Sequence, residues 1–133
     1  MNYSVKVRKD NVIFVIDPET MDIDSVNQIA DKMEKCARNL RRKGKPVLIL
    51  VDARPLERDD AQSKRRMLER TKRMDFDRIA VFGASALKRR TANLLIFAAQ
   101  AIMQEPMLQK IKLFGDQYAA EQWLRDFSHH AGL

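Results

Sequence analysis

A chain of 133 residues, 45% of them hydrophobic, can bury one core and has no room for a second, so a single domain over residues 1–133 is expected. Its one cysteine, Cys36, excludes an internal disulfide, and two histidines crowded near the chain end complete no zinc-binding pattern. The net charge of +7 is local: residues 61–90 carry 10 basic and 3 acidic side chains, against 12 and 11 in residues 1–60 and 3 and 4 in residues 91–133.

Val5 and Val7 alternate with polar neighbours, Lys9-Asp10-Asn11 punctuates, and Val12 to Ile16 is apolar throughout, a pattern that predicts a β-hairpin. Pro18 stops the second strand, and Asp22 and Asp24 suit the positive end of a helix that follows. In that helix Val26, Ile29, Ala30, Met33, Ala37 and Leu40 recur at helical spacing, with Cys36 on the same side as a core residue, while Arg38, Arg41, Arg42 and Lys43 complement its negative end. Gly44 closes the helix, and Val47 to Val51 reads as a strand covered on both faces. Asp52 to Arg58 is a charged loop containing Pro55.

Asp59 and Asp60 then cap a helix running to about Met74. Its apolar arc holds only Ala61, Met67, Leu68, Thr71 and Met74, with Lys64 inside the arc and Arg65, Arg66, Arg70, Lys72 and Arg73 around the rest. A lightly anchored helix is expected. Arg78 to Phe82 is a central strand, Gly83-Ala84-Ser85 a turn, and Leu87 to Met103 a second helix whose buried face leaves Ile96, Phe97 and Met103 over. Ile111, Leu113 and Phe114 form the last strand. Asp116 caps a final helix with Ala119, Ala120, Trp123, Leu124 and Phe127 facing inward, and the tail from Ser128 is expected to fray. The order β-β-α-β-α-β-α-β-α implies an α/β fold with a mixed five-stranded sheet, about four helices, and helices mainly on one side or at the edges.

RIAVFG at residues 78–83, followed by an apolar helix, and LFGDQYAAEQWL at residues 113–124, with Phe114, Ala120, Trp123 and Leu124 in place, resemble the STAS domains and in particular their SpoIIAA-like branch. The resemblance spans Tyr3 to about Phe127. It implies a non-enzymatic regulatory domain and an association with membrane surfaces or lipophilic ligands, with helices that can open. Founding members are phosphorylated by a partner kinase on a serine in a D-S-G-like turn before the second helix. The turn here, Glu57 to Ala61, has no Ser-Gly, and the nearest hydroxyl, Ser63, falls inside the predicted helix.

Charge and apolar surplus together mark Lys64, Met67, Arg70 and Met74 on one helix, and Lys88, Arg89, Arg90, Ile96, Phe97 and Met103 on the next, as candidate contacts with a lipophilic ligand or an anionic membrane surface. A protein partner with an acidic patch could use the same faces, and a homodimer could cover the apolar residues. The KRR triplets at 64–66 and 88–90 raise nucleic-acid binding as an alternative, but no recognition helix, RNP-like motif or stacking aromatic set accompanies them. Gly83, Ala84 and Ser85 before those basic residues outline a small anion site to which an enzyme reading attaches. Asp17 and Asp52 sit near strand ends where α/β folds place chemistry, although isolated aspartates there more often cap a helix or a turn. No phosphate-loop, dinucleotide or nucleophile-elbow motif is present, so neither a catalytic residue nor a cofactor is expected. With no long apolar run and no hydrophobic leader in MNYSVKVRKD, a cytoplasmic protein, at most peripheral to the inner membrane face, is expected.

Overall fold

A computed structural model of the chain describes residues 2–85 and 109–130. Strands β1 (Ser4–Val7), β2 (Val12–Ile16), β4 (Leu48–Asp52), β6 (Arg78–Phe82) and β7 (Ile111–Phe114) form one sheet in the order β1-β2-β4-β6-β7. The β1–β2 pair is antiparallel and the other three pairs are parallel, so the sheet is mixed as expected. Strands β3 (Thr20–Met21) and β5 (Arg58–Asp59) form a separate two-residue parallel pair. The helices are α1 (Ile23–Arg42), α2 (Ala61–Arg73) and α3 (Gln117–His130). The helix foreseen at 87–103 lies outside the described residues, so three helices are described where four were foreseen.

Local chemistry sets the element ends. Asn11 takes a left-handed φ of 66° in the hairpin, where Asp10 is held by Arg8 at 2.7 Å. Asp22 caps α1 by accepting the Ser25 N–H at 2.8 Å, and Asp60 caps α2 by accepting that of Ser63 at 2.7 Å. Helix α1 ends in paired bonds from Gly44 N to Arg41 O and from Lys45 N to Leu40 O, both 2.9 Å, with Gly44 at φ 71°. Asp116 Oδ1 accepts the Ala119 N–H at 2.8 Å, the expected cap of α3. That helix runs on to His130, past the point where the sequence suggested fraying.

Alternation along the strands divides the core in two. Ile13, Val15, Val47, Ile49 and Ile79 face α1, whose Val26, Ile29, Met33, Ala37 and Leu40 complete that layer with Met74 and Phe76. Val12, Leu48, Leu50, Ala80 and Phe82 face the other way, under Ala120 and Leu124 of α3. Helices therefore lie on both faces, not mainly on one, because the parallel strands β2, β4 and β6 are apolar on both sides and need covering on both. Trp123 packs against Phe114 with ring centroids 5.7 Å apart, and Arg78 lies over its ring at 4.5 Å while donating to the Trp123 carbonyl at 2.6 Å.

Gly83 follows β6 at φ 89°, and a Cβ there would run into the Cγ of Arg54 and sit 3.1 Å from its backbone nitrogen. Arg54 cannot retreat cheaply, because its guanidinium is held bidentately by Asp52 at 3.0 and 2.8 Å and lies 5.3 Å from the Phe82 ring centroid. Gly83→Ala is expected to cost about 2 kcal/mol or more of unfolding free energy in urea titration, since backbone strain and steric overlap add. Truncating Arg54 to alanine in the same chain should recover part of the loss.

Candidate functional site

Helix α2 buries only Ser63 and Thr71 within its length, and Leu68 remains 46% exposed. Its main packing partner is α1 rather than the sheet. Arg70, 17% exposed, makes that junction: its guanidinium donates to Asp31 at 2.6 Å, to Glu34 at 3.4 Å and to Asn27 at 3.4 Å. A helix held by a cap and a charged strut does not close onto the apolar strands beside it, and a space is left.

That space is a cavity of about 390 Å³. Its described walls are Val15, Val51, Ile79 and Val81 from the central strands, Ile111 and Leu113 from β7, Ile29 and Met33 from α1, and Met67 and Leu68 from α2. Met21 and Leu56 close one end. The β3–β5 pair forms that end, with Glu57 N and Arg58 N both donating to Glu19 O at 2.8 and 3.0 Å. Val51 and Val81 are only half-buried where their strand neighbours Leu50 and Ala80 on the opposite face are fully covered, which is the trace α2's stand-off leaves on the strands.

Most of the polar lining gathers near that end, Thr71 alone standing about two turns further along α2. Asp17, Asp59, Ser63, Lys64 and Thr71 all line the cavity. Thr71 satisfies itself on the Met67 carbonyl at 2.7 Å, and Lys64, its side chain 66% exposed at the rim, reaches Asp59 at 3.6 Å. Asp17 and Ser63 differ. Asp17 is 7% exposed and its carboxyl has no hydrogen-bond or ion-pair partner among the described residues. Ser63 is fully buried; its hydroxyl lies near enough to Asp60 to help hold that carboxylate ionised, yet forms no hydrogen bond of acceptable geometry, so Oγ stays unpartnered.

Asp17 and Asp52 are brought together by the sheet, in which Ile16 pairs with Asp52 and the Asp17 N–H donates to the Asp52 carbonyl at 3.0 Å. Their environments push them apart. Hydrogen bonds from Arg54 hold the Asp52 carboxyl below the ordinary range. Burial first, then the nearby Asp52 and Asp59, raises Asp17 from 3.8 to about 7. Two carboxylates at one strand end are thus separated into an ionised and a protonated member.

A second concavity runs along the outer side of α2. Arg38, Arg41 and Arg42 of α1 and Arg66, Arg70 and Arg73 of α2 line a groove of about 960 Å³, with Glu34 and Asp75 as its acidic members. Arg41 is bound to Asp75 at 2.9 Å and Asp77 at 2.8 Å. Arg38, Arg42 and Arg73 have no ion pair among the described residues.

Met67 and Lys64 therefore stand at the cavity, as wall and rim. Arg70 is turned to α1 as a strut, and Met74 is buried in the core. Lys88, Arg89, Arg90, Ile96, Phe97 and Met103 lie outside the described residues. Of the proposed anion turn, Gly83 packs on Arg54, and its basic half at 88–90 lies outside the described residues. Cys36 sits partly buried beside the α1 core, and burial pushes its thiol upward, away from reactivity. From the sequence Asp17 was noted only as an aspartate near a strand end and Ser63 only as the hydroxyl nearest the turn at 57–61, and the arginine groove was not foreseen. Among the described residues no group of three potential ligands could hold a metal ion, and no helix is long and apolar enough to cross a membrane.

A mixed five-stranded sheet with helices on both faces and a polar-ended apolar cavity under one of them defines a STAS-type α/β domain. Residues 12–125 match the SpoIIAA-like family model, and the chain belongs to the SpoIIAA-like family. Among solved structures it is similar to an uncharacterised protein of the DUF3478 family with a SpoIIAA-like fold from Shewanella loihica PV-4, at 17% identity and a TM-score of 0.62, with 92% of each chain covered. That likeness concerns the fold. No match was found among curated proteins.

The raised Asp17 value has a stability consequence. The folded protein keeps a proton that the unfolded chain releases near 3.8, so the favourable contribution is fully present below 3.8 and is lost as pH rises toward about 7. At about 1.4 kcal/mol per unit the loss is at most on the order of 4 kcal/mol. Asp17→Asn should flatten the fall in thermal midpoint between these values, read by circular dichroism. An unchanged pH profile would refute the assignment.

Proposed function

We propose that this chain is a non-catalytic binding module that holds a lipophilic small molecule in the cavity between α2 and the sheet. The observation that carries this reading is the cavity itself: about 390 Å³, walled mainly by aliphatic and methionine side chains, with a few polar groups, of which Asp17, Asp59, Ser63 and Lys64 lie near one another. Its volume falls in the roughly 300–1,000 Å³ range of small-molecule pockets, which are typically apolar with a few placed polar groups. Met33 and Met67 add walls that adapt to ligand shape. The SpoIIAA-like fold supports a regulatory role for such binding, with ligand and α2 position linked because α2 is one of the walls.

Filling the cavity from the sheet side tests it. Val81→Phe places an aromatic ring in space the native side chains leave open, so affinity for a neutral dye such as Nile red should drop at least about tenfold while the thermal midpoint holds or rises. Dye binding that survives the substitution would place the site elsewhere.

The arginine groove favours a second reading, in which an acidic segment of a partner protein docks between α1 and α2. Arg38 and Arg42, like charges four residues apart on α1 and without an ion pair among the described residues, form an arrangement that costs stability until an anion neutralises it, and Arg73 adds a third such charge across the groove. A poly-glutamate peptide should bind at low salt, and reversing Arg38, Arg66 and Arg73 to glutamate should abolish binding. Retention by anionic vesicles instead of the peptide would move this surface to the membrane.

A further inference from the structure

The cavity's polar end is unfinished in a specific way. Of the five polar residues on its described wall, Thr71 is satisfied by its own helix and Asp59 and Lys64 by one another. Asp17 has no hydrogen-bond partner among the described residues, and the Ser63 hydroxyl has only the nearby Asp60 carboxylate, with no hydrogen bond of acceptable geometry. A buried hydroxyl and a buried carboxyl so placed are costly to keep, and both open onto the same apolar space. The cost is offset when a ligand supplies the missing donors and acceptors.

Resting on the lipophilic-ligand reading, we propose that Asp17 and Ser63 are the head-group site of the cavity, selecting an amphiphile whose head is uncharged and both donates and accepts a hydrogen bond, such as a long-chain alcohol or primary amide. The groups facing Asp17 decide this chemistry. From β4 comes Asp52, its charge already matched by Arg54; from β5 comes Asp59, matched by Lys64 of α2. Among the described residues that line the cavity no unpaired cation remains to receive a carboxylate or phosphate head, and the two neighbouring carboxyls oppose one. A protonated Asp17 offers one donor and one acceptor, and the Ser63 hydroxyl offers the same, which is the complement of an alcohol or amide. The aliphatic walls take the tail. Above the titration of Asp17 an anionic head meets an uncompensated negative charge, so discrimination against it sharpens with pH.

Displacement of bound Nile red by decanol, decanoate and decylamine, below and above about pH 7, separates the possibilities. Decanol should displace the dye at both pH values with affinities within about threefold, because an ionised Asp17 still accepts its hydrogen bond. Decanoate should bind at least about tenfold more weakly at the higher pH. Ser63→Ala should weaken decanol by about three- to tenfold, the loss of one hydrogen bond. Asp17→Asn, isosteric and uncharged, should leave decanol nearly unchanged and raise decanoate affinity at least about tenfold at the higher pH. Should that variant not fold, the pH series on the native chain and Ser63→Ala decide the same question. Equal binding of decanol and decanoate, indifferent to both substitutions, would overturn the head-group assignment while leaving the cavity as a lipophilic site. Preference for decylamine would overturn the neutral-head choice. Failure of the dye and of all three compounds to bind would instead remove the lipophilic reading itself.

Discussion

Helix α2 carries too little apolar surface to seal itself to the sheet, and the space beneath it follows from that shortage. In thirteen residues it buries Ser63 and Thr71 and presents arginine or lysine at Lys64, Arg65, Arg66, Arg70, Lys72 and Arg73. What fixes it is largely polar, the Asp60 cap at its start and the Arg70 contacts to Asn27, Asp31 and Glu34 along its side, with Met67 and the C-cap Met74 as its apolar anchors on the core. The polar attachments set position without filling volume. Val51 and Val81, which would be fully buried under a close-packed helix, instead form a floor. The same geometry gives α2 two working sides, an apolar one over the cavity and an arginine-rich one facing α1.

The polar end of the cavity depends on a second constraint, the register of the parallel sheet. Pairing Ile16 with Asp52 delivers two aspartates to one strand end. Arg54 clamps Asp52 and is in turn wedged against Gly83, where no side chain would fit. With Asp52 held as an anion and Asp17 buried beside it, Asp17 keeps its proton up to about pH 7. The head-group chemistry thus traces to a glycine two strands away. It is built from contacts between β2, β4 and β6 that also hold the core.

Much of this framework is legible in the sequence because it is local. The α1 stripe, the Asp60 and Asp116 caps, the Gly44 terminator and the five strands of the main sheet follow from periodicity and end signals that act over a few residues. The light anchoring of α2 was legible for the same reason. The β3–β5 pair was not, since two residues carry no alternation and their surroundings look like a charged loop. Asp17 read as part of a strand stop because its partner, Asp52, is brought to it by sheet register. Ser63 drew notice only as a hydroxyl within a helix, and its burial depends on which way α2 leans. Arg38, Arg41 and Arg42 were explained by the negative end of α1, and nothing within that helix reveals that α2 brings three more arginines opposite them. The foreseen pairing of α2 with residues 87–103 lies outside the described residues, whereas the basic side of α2 meets α1.

Whether the cavity under α2 holds a lipophilic molecule is read out by native mass spectrometry of the purified chain followed by organic extraction. The account predicts a non-covalent adduct of small-molecule mass that extracts into organic solvent, is uncharged in its head group, and is missing from the Val81→Phe chain. An adduct retained at full occupancy by Val81→Phe would contradict it, as would a native chain that stays bare after incubation with decanol.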